Sequence, residues 1–205
     1  MEKKEHWENV YATKSQDQMS WYRAHLDNSL ELIMQTGVGK DAAIIDVGGG
    51  SSTLVDDLLD RGFADVTVLD ISGSAITKRK ERLGASAQMV DWIVADITEA
   101  DLPDGRFDVW HDRAVFHFLT DAADRRKYVD LVTRSLKPDG HLIVASFSLE
   151  GPQKCSGLDV VRYSPETMQS EFGGQFALVA SLDETHNTPF GTTQEFIYCY
   201  FKEVL

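Results

Sequence analysis

Short apolar runs alternate along the chain with longer amphipathic segments. Five of the runs have the length and composition of strands that are buried on both faces. They occupy residues 42–47, 65–71, 89–97, 106–115 and 141–147. Between the runs, apolar residues recur at the spacing of one helix face, as at Leu54, Val55, Leu58 and Leu59. This alternation predicts an α/β fold whose parallel strands are joined by right-handed helical crossovers.

The pattern changes after the fifth strand. Residues 164–173 have the pattern of a short helix, in which Ser164 caps the first turn and Pro165 takes the first helical position. Two strands follow at 176–184 and 192–201, and the turn-rich sequence THNTPFG joins them. We therefore expect a terminal hairpin that closes the sheet.

The first strand leads into the sequence IIDVGGGSS, residues 44–52. A glycine-rich turn between a strand and a helix lets the backbone approach a ligand and directs helix-end N–H groups at it. Glycine at such a turn can also serve backbone geometry alone. The turn by itself leaves a ligand site and a purely structural turn both open.

Carboxylates close the next two strands. Asp70 ends the second strand and Asp96 ends the third. Because ligands of open α/β sheets bind at the carboxyl ends of the strands, both side chains should face the same site as the glycine turn. A carboxylate in this position can accept hydrogen bonds from both hydroxyl groups of a ribose. The combination indicates a site for an adenosine-containing ligand.

The sequence and the charges around the glycine turn distinguish among the possible adenosine-containing ligands. The chain has no GxxxxGK[ST] phosphate loop, and its turn lacks the third glycine of the dinucleotide fingerprint. Asp46, just before the glycines, would oppose a pyrophosphate but would favour a ligand with an ammonium group and a sulfonium. ATP and NAD are therefore disfavoured, and the predicted cofactor is S-adenosylmethionine.

With these motifs in this order, the chain resembles the class I S-adenosylmethionine-dependent methyltransferases from about residue 42 to residue 201. IIDVGGGSS is similar to the first motif of that family, VTVLDIS to its acidic ribose loop, IVADI to its adenine loop, FDVWHDRAVFHFL to its fourth motif, and LKPDGHLIVASF to its fifth strand. The resemblance implies a Rossmann-like, doubly wound, seven-stranded and mostly parallel sheet with an antiparallel C-terminal strand. The cofactor-binding residues that it implies are Asp46, Gly48, Gly50, Asp70, Ile71, Asp96, Ile97 and His111.

The fourth motif concentrates ionisable residues after the fourth strand. The resemblance places His111 and Asp112 beside the methionine part of the cofactor, and it places Arg113, Phe116 and His117 toward the acceptor. We take His117 as a candidate general base and Asp112 as a second candidate catalytic residue. The alternative is that Asp112 and Arg113 form a structural ion pair and that Phe116 belongs to the core.

The N-terminal part of the chain places many aromatic residues in a polar segment. HWENVY and SWY look like a segment that crosses the cofactor in small-molecule and protein-lysine methyltransferases. We therefore predict one domain over residues 1–205, with 1–40 as an N-terminal helical lid and with Trp21 and Tyr22 on the acceptor side. A docking helix with an aromatic face is the alternative.

Residues 148–165 form a long connection after the fifth strand. Connections of this length often carry substrate contacts, so this segment is a second candidate for the acceptor side. An ordinary surface crossover with a buried and inert Cys155 is the favoured alternative.

Charge and cysteine content narrow the range of partners. The formal net charge is -13, which disfavours nucleic acid and anionic membrane surfaces. The two cysteines show no CxxC spacing, so we expect neither a disulfide framework nor a metal site. The sequence starts without an apolar leader and has no run of roughly 20 apolar residues, so we expect a cytoplasmic protein without a membrane anchor. The oligomeric state is not predicted.

The expected function is methyl transfer from S-adenosylmethionine to a nitrogen, oxygen or sulfur nucleophile, with release of S-adenosylhomocysteine. The aromatic N-terminal segment and the acidic composition favour a protein lysine as the acceptor. A small-molecule amine or thiol is a nearly equal alternative. A catalytically inactive cofactor-binding module and a nucleotide-binding oxidoreductase are alternatives of other classes.

Overall fold

The structure is a computed structural model that describes residues 3–15 and 18–204. At its centre lies a β-sheet that is flanked by helices. The strands are β1 (Ala43–Val47), β2 (Asp65–Asp70), β3 (Val90–Val94), β4 (Phe107–Arg113), β5 (Leu136–Phe147), β6 (Lys154–Cys155), β7 (Leu158–Asp159), β8 (Phe176–Asn187) and β9 (Thr193–Glu203). The helices are α1 (Lys3–Thr13), α2 (Asp27–Gln35), α3 (Leu54–Asp60), α4 (Gly73–Leu83), α5 (Ala122–Ser135) and α6 (Pro165–Phe172).

Seven strands form one sheet in the order β3-β2-β1-β4-β5-β9-β8. Strands β1 to β5 are parallel to one another, and β9 runs antiparallel to both of its neighbours. The predicted doubly wound, mostly parallel sheet with an antiparallel C-terminal strand is confirmed. The strand order reverses between β1 and β4, and ligands of such sheets bind at this switch point. Strands β6 and β7 pair as a small separate hairpin that was not predicted.

Both faces of the sheet are covered, which explains why the central strands are apolar throughout. All five residues of β1 are buried. Ile45 packs in one hydrophobic cluster with Tyr128 of α5, and Ile44 packs in a second cluster with Ile33 of α2. Because successive side chains of a strand point to opposite faces, each cluster takes every second residue.

Serine hydroxyls accept backbone hydrogen bonds at the starts of two helices, and the start of α6 at Ser164 was predicted. The Ser164 hydroxyl accepts a hydrogen bond from the Thr167 backbone N–H at 3.3 Å, and the Thr167 hydroxyl accepts one from the Ser164 N–H at 2.8 Å. This reciprocal capping box starts α6; the cap at Ser164 was predicted, and the return bond to Thr167 was not. At α3, the Ser52 hydroxyl accepts from the Leu54 N–H at 3.0 Å.

Two strand boundaries differ from the prediction. β5 begins at Leu136, opposite Phe107, and its regular pairing resumes at His141, opposite Val109. Residues 137–140, which precede the predicted strand, therefore form a bulge within the paired region. At the other end of the sheet, β8 and β9 pair as far as Asn187 and Thr193, so the hairpin loop is shorter than THNTPFG.

Candidate active site

An open cleft lies at the carboxyl ends of β1 to β4, where the strand order reverses. It encloses about 1150 Å³ with its mouth included. Six of the predicted cofactor-binding residues line it: Asp46, Gly48, Asp70, Ile71, Asp96 and Ile97.

The glycine turn forms the floor of the cleft beside β1. Gly48 has a φ of 73°, in the left-handed region that side chains disfavour. A Cβ atom on Gly48 would lie 2.1 Å from Cγ2 of Val115, in the loop after β4. Glycine is thus required here both for backbone conformation and for the close approach of the two loops. Gly50 lies behind this floor, where its N–H donates to Oδ2 of Asp70 at 3.0 Å.

Asp46 belongs to a buried chain of polar groups at the end of β1. Its Oδ1 lies 2.7 Å from Nδ1 of His111, and Nε2 of that ring lies 2.9 Å from the Ser29 hydroxyl. All three residues are buried. His111 therefore positions the carboxylate from behind rather than lining the cleft. The sequence analysis did not identify Ser29, because α2 meets β4 only in the folded chain.

The other carboxylate oxygen of Asp46 has no hydrogen-bond partner among the described residues, although it is buried and the residue lines the cleft. Buried acceptors are normally satisfied, and an unpaired one carries a free-energy cost of about 1–3 kcal/mol. A cationic donor in the cleft would remove that cost. This orphaned oxygen fits the ammonium group of S-adenosylmethionine.

Asp70 ends β2 at the edge of the same cleft. Its two carboxylate oxygens accept from the N–H of Gly50 at 3.0 Å and from the N–H of Ser72 at 2.8 Å. Burial raises the pKa of Asp70 to about 6 despite these bonds. Each oxygen retains a second lone pair, so the group can also accept from ligand hydroxyls.

Asp96 follows β3 in a turn on the same flank. Its Oδ1 accepts from the backbone N–H and the hydroxyl of Thr98, at 2.9 and 2.8 Å. Ile97 is buried beside it, and Ile71 completes an apolar wall. This part of the cleft offers a carboxylate edge next to a flat apolar surface, which suits an adenine ring.

Asp112 organises the loop after β4. Its carboxylate accepts from the Tyr128 hydroxyl at 2.6 Å and from the N–H groups of Val115 and Phe116 at 2.9 and 3.1 Å. It is fully buried, and burial raises its pKa to about 6. Asp112 is not among the residues that line the cleft. Its contacts are those of a residue that shapes the loop, not of one that touches a substrate.

The structure also places His117 and Phe116 away from the cleft. Both are fully buried in a short 3₁₀ turn. The His117 ring centroid lies 4.5 Å from that of Phe118 and 4.8 Å from that of Phe147, and neither ring nitrogen has a hydrogen-bond partner among the described residues. Burial, with a smaller contribution from Arg113, lowers the pKa of His117 to about 3. The geometry gives His117 no access to an acceptor, because the turn directs it inward.

The opposite side of the cleft is covered by five aromatic side chains, which we term the aromatic roof: Trp7, Tyr11, Trp21, Tyr22 and Phe118. The Trp7 ring is the centre of this group, with centroids 5.1 Å from Phe118 and 5.9 Å from Trp21 and Tyr11. The predicted acceptor-side residues Trp21 and Tyr22 thus line the same cleft as the predicted cofactor residues.

The first helix is anchored on α4. The Glu8 carboxylate accepts from the N–H of Gly73 at 2.7 Å, the N–H of Ser74 at 3.1 Å and the hydroxyl of Ser72 at 3.0 Å. Burial alone would raise the pKa of Glu8, but these hydrogen bonds outweigh burial and lower it. The Lys78 ammonium also donates to the Tyr11 carbonyl. Glu8 therefore caps α4 and holds Trp7 and Tyr11 over the cleft.

The second part of the roof is held by the terminal hairpin. His186 Nε2 lies 2.7 Å from the Ser20 carbonyl, and the Gln194 amide donates to the Ser20 hydroxyl at 3.2 Å. Arg113 donates to the Trp21 carbonyl at 3.1 Å. Strands β8 and β9 thus fix the segment that carries Trp21.

The connection at 148–165 reaches the cleft through Cys155 of β6. Burial raises the pKa of this thiol to about 11, so it is protonated at neutral pH. No group of three or more His, Cys, Asp or Glu side chains that could hold a metal ion occurs in the described part of the chain. The same described residues contain no helix that is long and apolar enough to span a membrane.

A family described as a methyltransferase domain matches residues 45–144. An eEF1A lysine and N-terminal methyltransferase from Mus musculus is 27% identical over 118 residues, which are 57% of this chain and 17% of that protein. The match therefore spans less than a fifth of the length of the mouse relative.

Solved structures share the fold at low sequence identity. One, from a study of the conversion of a disulfide bond into a thioacetal group during echinomycin biosynthesis, has a TM-score of 0.80 and 18% identity, covering 98% of this chain and 92% of that chain. Another is the Burkholderia thailandensis 1,6-didemethyltoxoflavin-N1-methyltransferase with 1,6-didemethyltoxoflavin and S-adenosylhomocysteine bound. It has a TM-score of 0.68 and 18% identity, covering 96% of this chain and 82% of that chain.

Proposed function

We propose that this chain, which belongs to the class I S-adenosylmethionine-dependent methyltransferases, transfers the methyl group of that cofactor to a nitrogen, oxygen or sulfur nucleophile of an acceptor bound under the aromatic roof. The observation that carries this proposal is one continuous cleft with acidic strand ends on one flank and the aromatic roof on the other. The other product is S-adenosylhomocysteine.

The acidic flank would hold the cofactor. Asp46 would accept from its ammonium group, because its Oδ2 is buried and unpaired among the described residues. Asp70 would accept from the ribose hydroxyls, and Asp96 with Ile97 would contact the adenine. When bound, the cofactor supplies a methyl group on a positively charged sulfur.

The aromatic roof would contribute to the reaction in two ways. Faces of Trp7, Trp21 and Tyr22 can attract a cation, either the sulfonium or an amine. The same rings exclude water, and they restrict the acceptor to one approach. Because holding two reactants in line can supply roughly 7–11 kcal/mol of the barrier, we propose that this chain acts mainly by positioning.

Acid–base assistance is a minor part of this proposal. Among the described residues that line the cleft there is no histidine. Methyl transfer from a sulfonium needs little proton transfer once the acceptor is neutral. We therefore expect the acceptor to lose its proton to solvent before or during binding.

Two acceptor classes have specific support. A protein lysine is supported by the mouse relative, which is named for lysine and N-terminal methylation, and by the net charge of -13, which would attract a basic partner. A small molecule is supported by the cleft itself, in which a roof anchored at Glu8 and Ser20 leaves a partly enclosed space lined by Arg113.

The deciding experiment uses S-adenosylmethionine labelled in its methyl group. The purified protein is incubated with a cell lysate, which is then separated into protein and small-molecule fractions. Label in one fraction identifies the acceptor class. The Asp70→Asn variant is the control, since it should label neither fraction efficiently. If S-adenosylhomocysteine does not raise the melting temperature of the wild-type protein, the proposed cofactor site is wrong.

A further inference from the structure

Arg113 extends from the end of β4 to the side of the cleft away from the cofactor residues. Its Nε donates to the Tyr198 hydroxyl at 2.9 Å, and its Nη1 donates to the Trp21 carbonyl at 3.1 Å. Its guanidinium lies over the Phe196 ring, 4.6 Å from the centroid. Two contacts on β9 and one with the Trp21 backbone therefore fix the direction of this side chain.

One end of this guanidinium is not satisfied. Nη2 of Arg113 is buried and has no hydrogen-bond partner among the described residues. The side chain is 6% exposed, yet the residue lines the cleft. Oε1 of Glu184 lies 4.0 Å from Nη2, which is beyond hydrogen-bond distance. A buried charged donor without a partner is costly, so this position favours a ligand acceptor.

The charges around Nη2 leave room for an anion. Glu184 is already engaged by Arg23 and by the Asn28 amide, the latter at 3.1 Å. Burial alone would raise the pKa of Glu184, but Arg113, a hydrogen bond from Tyr198 and Arg23 together outweigh burial and lower it. Burial lowers the pKa of His186, so this neighbour is neutral at pH 7. Two guanidinium groups thus face the one buried carboxylate of Glu184, the exposed Asp27 carboxylate lies 3.9 Å from Arg23, and Arg23 also lines the cleft.

The position of the group points to the acceptor rather than to the cofactor. Asp46, Asp70 and Asp96 lie at the ends of β1, β2 and β3. Tyr198 and Phe196, which hold the guanidinium, lie on β9, three strands from β1 in the sheet order. At roughly 4.8 Å per strand, the anchor of Arg113 is about 14 Å from β1. The unpaired donor therefore lies toward β9 and β8, on the side of β4 away from β2 and β3, where Asp70 and Asp96 lie.

We propose that Nη2 of Arg113, with Arg23 beside it, binds a carboxylate of the methyl acceptor, and that the acceptor is a small molecule with an apolar ring against the aromatic roof. This inference rests on the proposed methyltransferase function and specifies its substrate class. A guanidinium and a carboxylate form charge-assisted hydrogen bonds, and the rings of Trp21 and Phe118 offer faces for a planar body.

The probe is benzoate, with benzamide as its neutral counterpart. Protein saturated with S-adenosylhomocysteine is titrated with each compound, and binding is followed by calorimetry and by the melting temperature. We expect benzoate to bind at least tenfold more tightly than benzamide. Arg113→Gln should remove that preference, and Arg113→Lys should retain part of it. Arg106→Gln is the matched control, because Arg106 precedes the same strand at its other end and pairs with Asp65.

The outcomes separate this inference from the proposed function. If benzoate binds equally to the wild type and to Arg113→Gln, the arginine only holds the aromatic roof in place through Trp21, and the inference is overturned. If benzoate and benzamide bind equally to the wild type, the inference is also overturned. If Arg113→Gln loses affinity for S-adenosylhomocysteine but not for 5′-methylthioadenosine, which lacks the amino-acid part, the carboxylate is that of the cofactor and the inference is overturned. In each case, binding of S-adenosylhomocysteine to the wild type leaves the proposed function standing.

Discussion

The anchoring of the aromatic roof can be tested at Glu8. Its carboxylate accepts three hydrogen bonds at the start of α4, from Ser72, Gly73 and Ser74. Glu8→Gln preserves the size of the side chain but removes its charge and one of its two acceptor oxygens. An amide N–H would then face a backbone N–H that has lost its partner.

The expected cost follows from these contacts. Hydrogen bonds to a charged group contribute about 1.5–3 kcal/mol each, and a negative charge at a helix N-terminus contributes about 0.3–1 kcal/mol. Because Glu8 is partly exposed and Gln keeps one acceptor, we take the lower part of that range. Glu8→Gln should therefore lower the free energy of unfolding, or of local detachment of α1, by about 1–2 kcal/mol.

Urea unfolding and calorimetric titration with S-adenosylhomocysteine would measure the two consequences. If α1 detaches locally, Trp7 and Tyr11 leave the cleft, and affinity for S-adenosylhomocysteine should fall by roughly five- to thirtyfold. Glu5→Gln is the control, since it makes the same change on an exposed part of the same helix. The difference in the free energy of unfolding between the wild type and Glu8→Gln should also vanish at low pH. The pKa of Glu8 is lowered on folding, so its stabilisation is present above 4.5 and is lost as the pH falls through the depressed value.

The result that would refute this reasoning is specific. If Glu8→Gln and Glu5→Gln unfold at the same urea concentration and bind S-adenosylhomocysteine equally, Glu8 does not anchor the roof. A loss of stability without any loss of affinity would show that Glu8 caps α4 but that α1 does not cover the bound cofactor.

Three further predictions follow from the site. Gly48→Ala should lower the free energy of unfolding in urea by about 2–4 kcal/mol, because it adds an alanine in the left-handed region and a clash with Val115. Gly62→Ala is the control, because Gly62 has a φ of 82° and no atom near the new Cβ, and it should cost only about 1–2 kcal/mol. Equal costs for the two variants would contradict the close approach of Gly48 and Val115. The raised pKa of Asp70, about 6, stabilises the fold below its ordinary value of 3.8 and is lost as the pH rises through 6, while S-adenosylhomocysteine, if the Asp70 carboxylate binds its ribose as proposed, should bind roughly tenfold more tightly at pH 7 than at pH 5. An equal pH dependence in Asp70→Asn would exclude this cause. His117→Leu should leave the free energy of unfolding unchanged or higher, because it removes two buried nitrogens without partners; a loss above about 1 kcal/mol in urea unfolding would reveal a contact that stabilises the ring.

Local sequence patterns predicted most of the elements, because the features that specify them act over a few residues. The buried strand β1, the capping box at Ser164 and the glycine turn are all visible without the fold. Asp46, Asp70 and Asp96 could be grouped before the structure was known, since parallel strands end at the same edge of a sheet.

The loop after β4 shows where that reasoning stops. Arg113, Phe116 and His117 belong to one short motif, yet only Arg113 reaches the cleft. The loop folds into a 3₁₀ turn whose successive side chains point in different directions, and Asp112 holds it there through Tyr128 of α5. Residue type and position in a motif do not encode which way such a turn faces.

The sequence by itself determined the sheet, the grouping of Asp46, Asp70 and Asp96 at one edge of it and the presence of an aromatic N-terminal segment, because periodicity, strand ends and composition are properties of neighbouring residues. Only the tertiary structure decided which groups meet across the cleft. Glu8 meets α4, Ser29 meets His111, and Arg113 meets Glu184 and Tyr198. These contacts join residues far apart in the chain, and their hydrogen bonds exist only after the sheet and helices have packed.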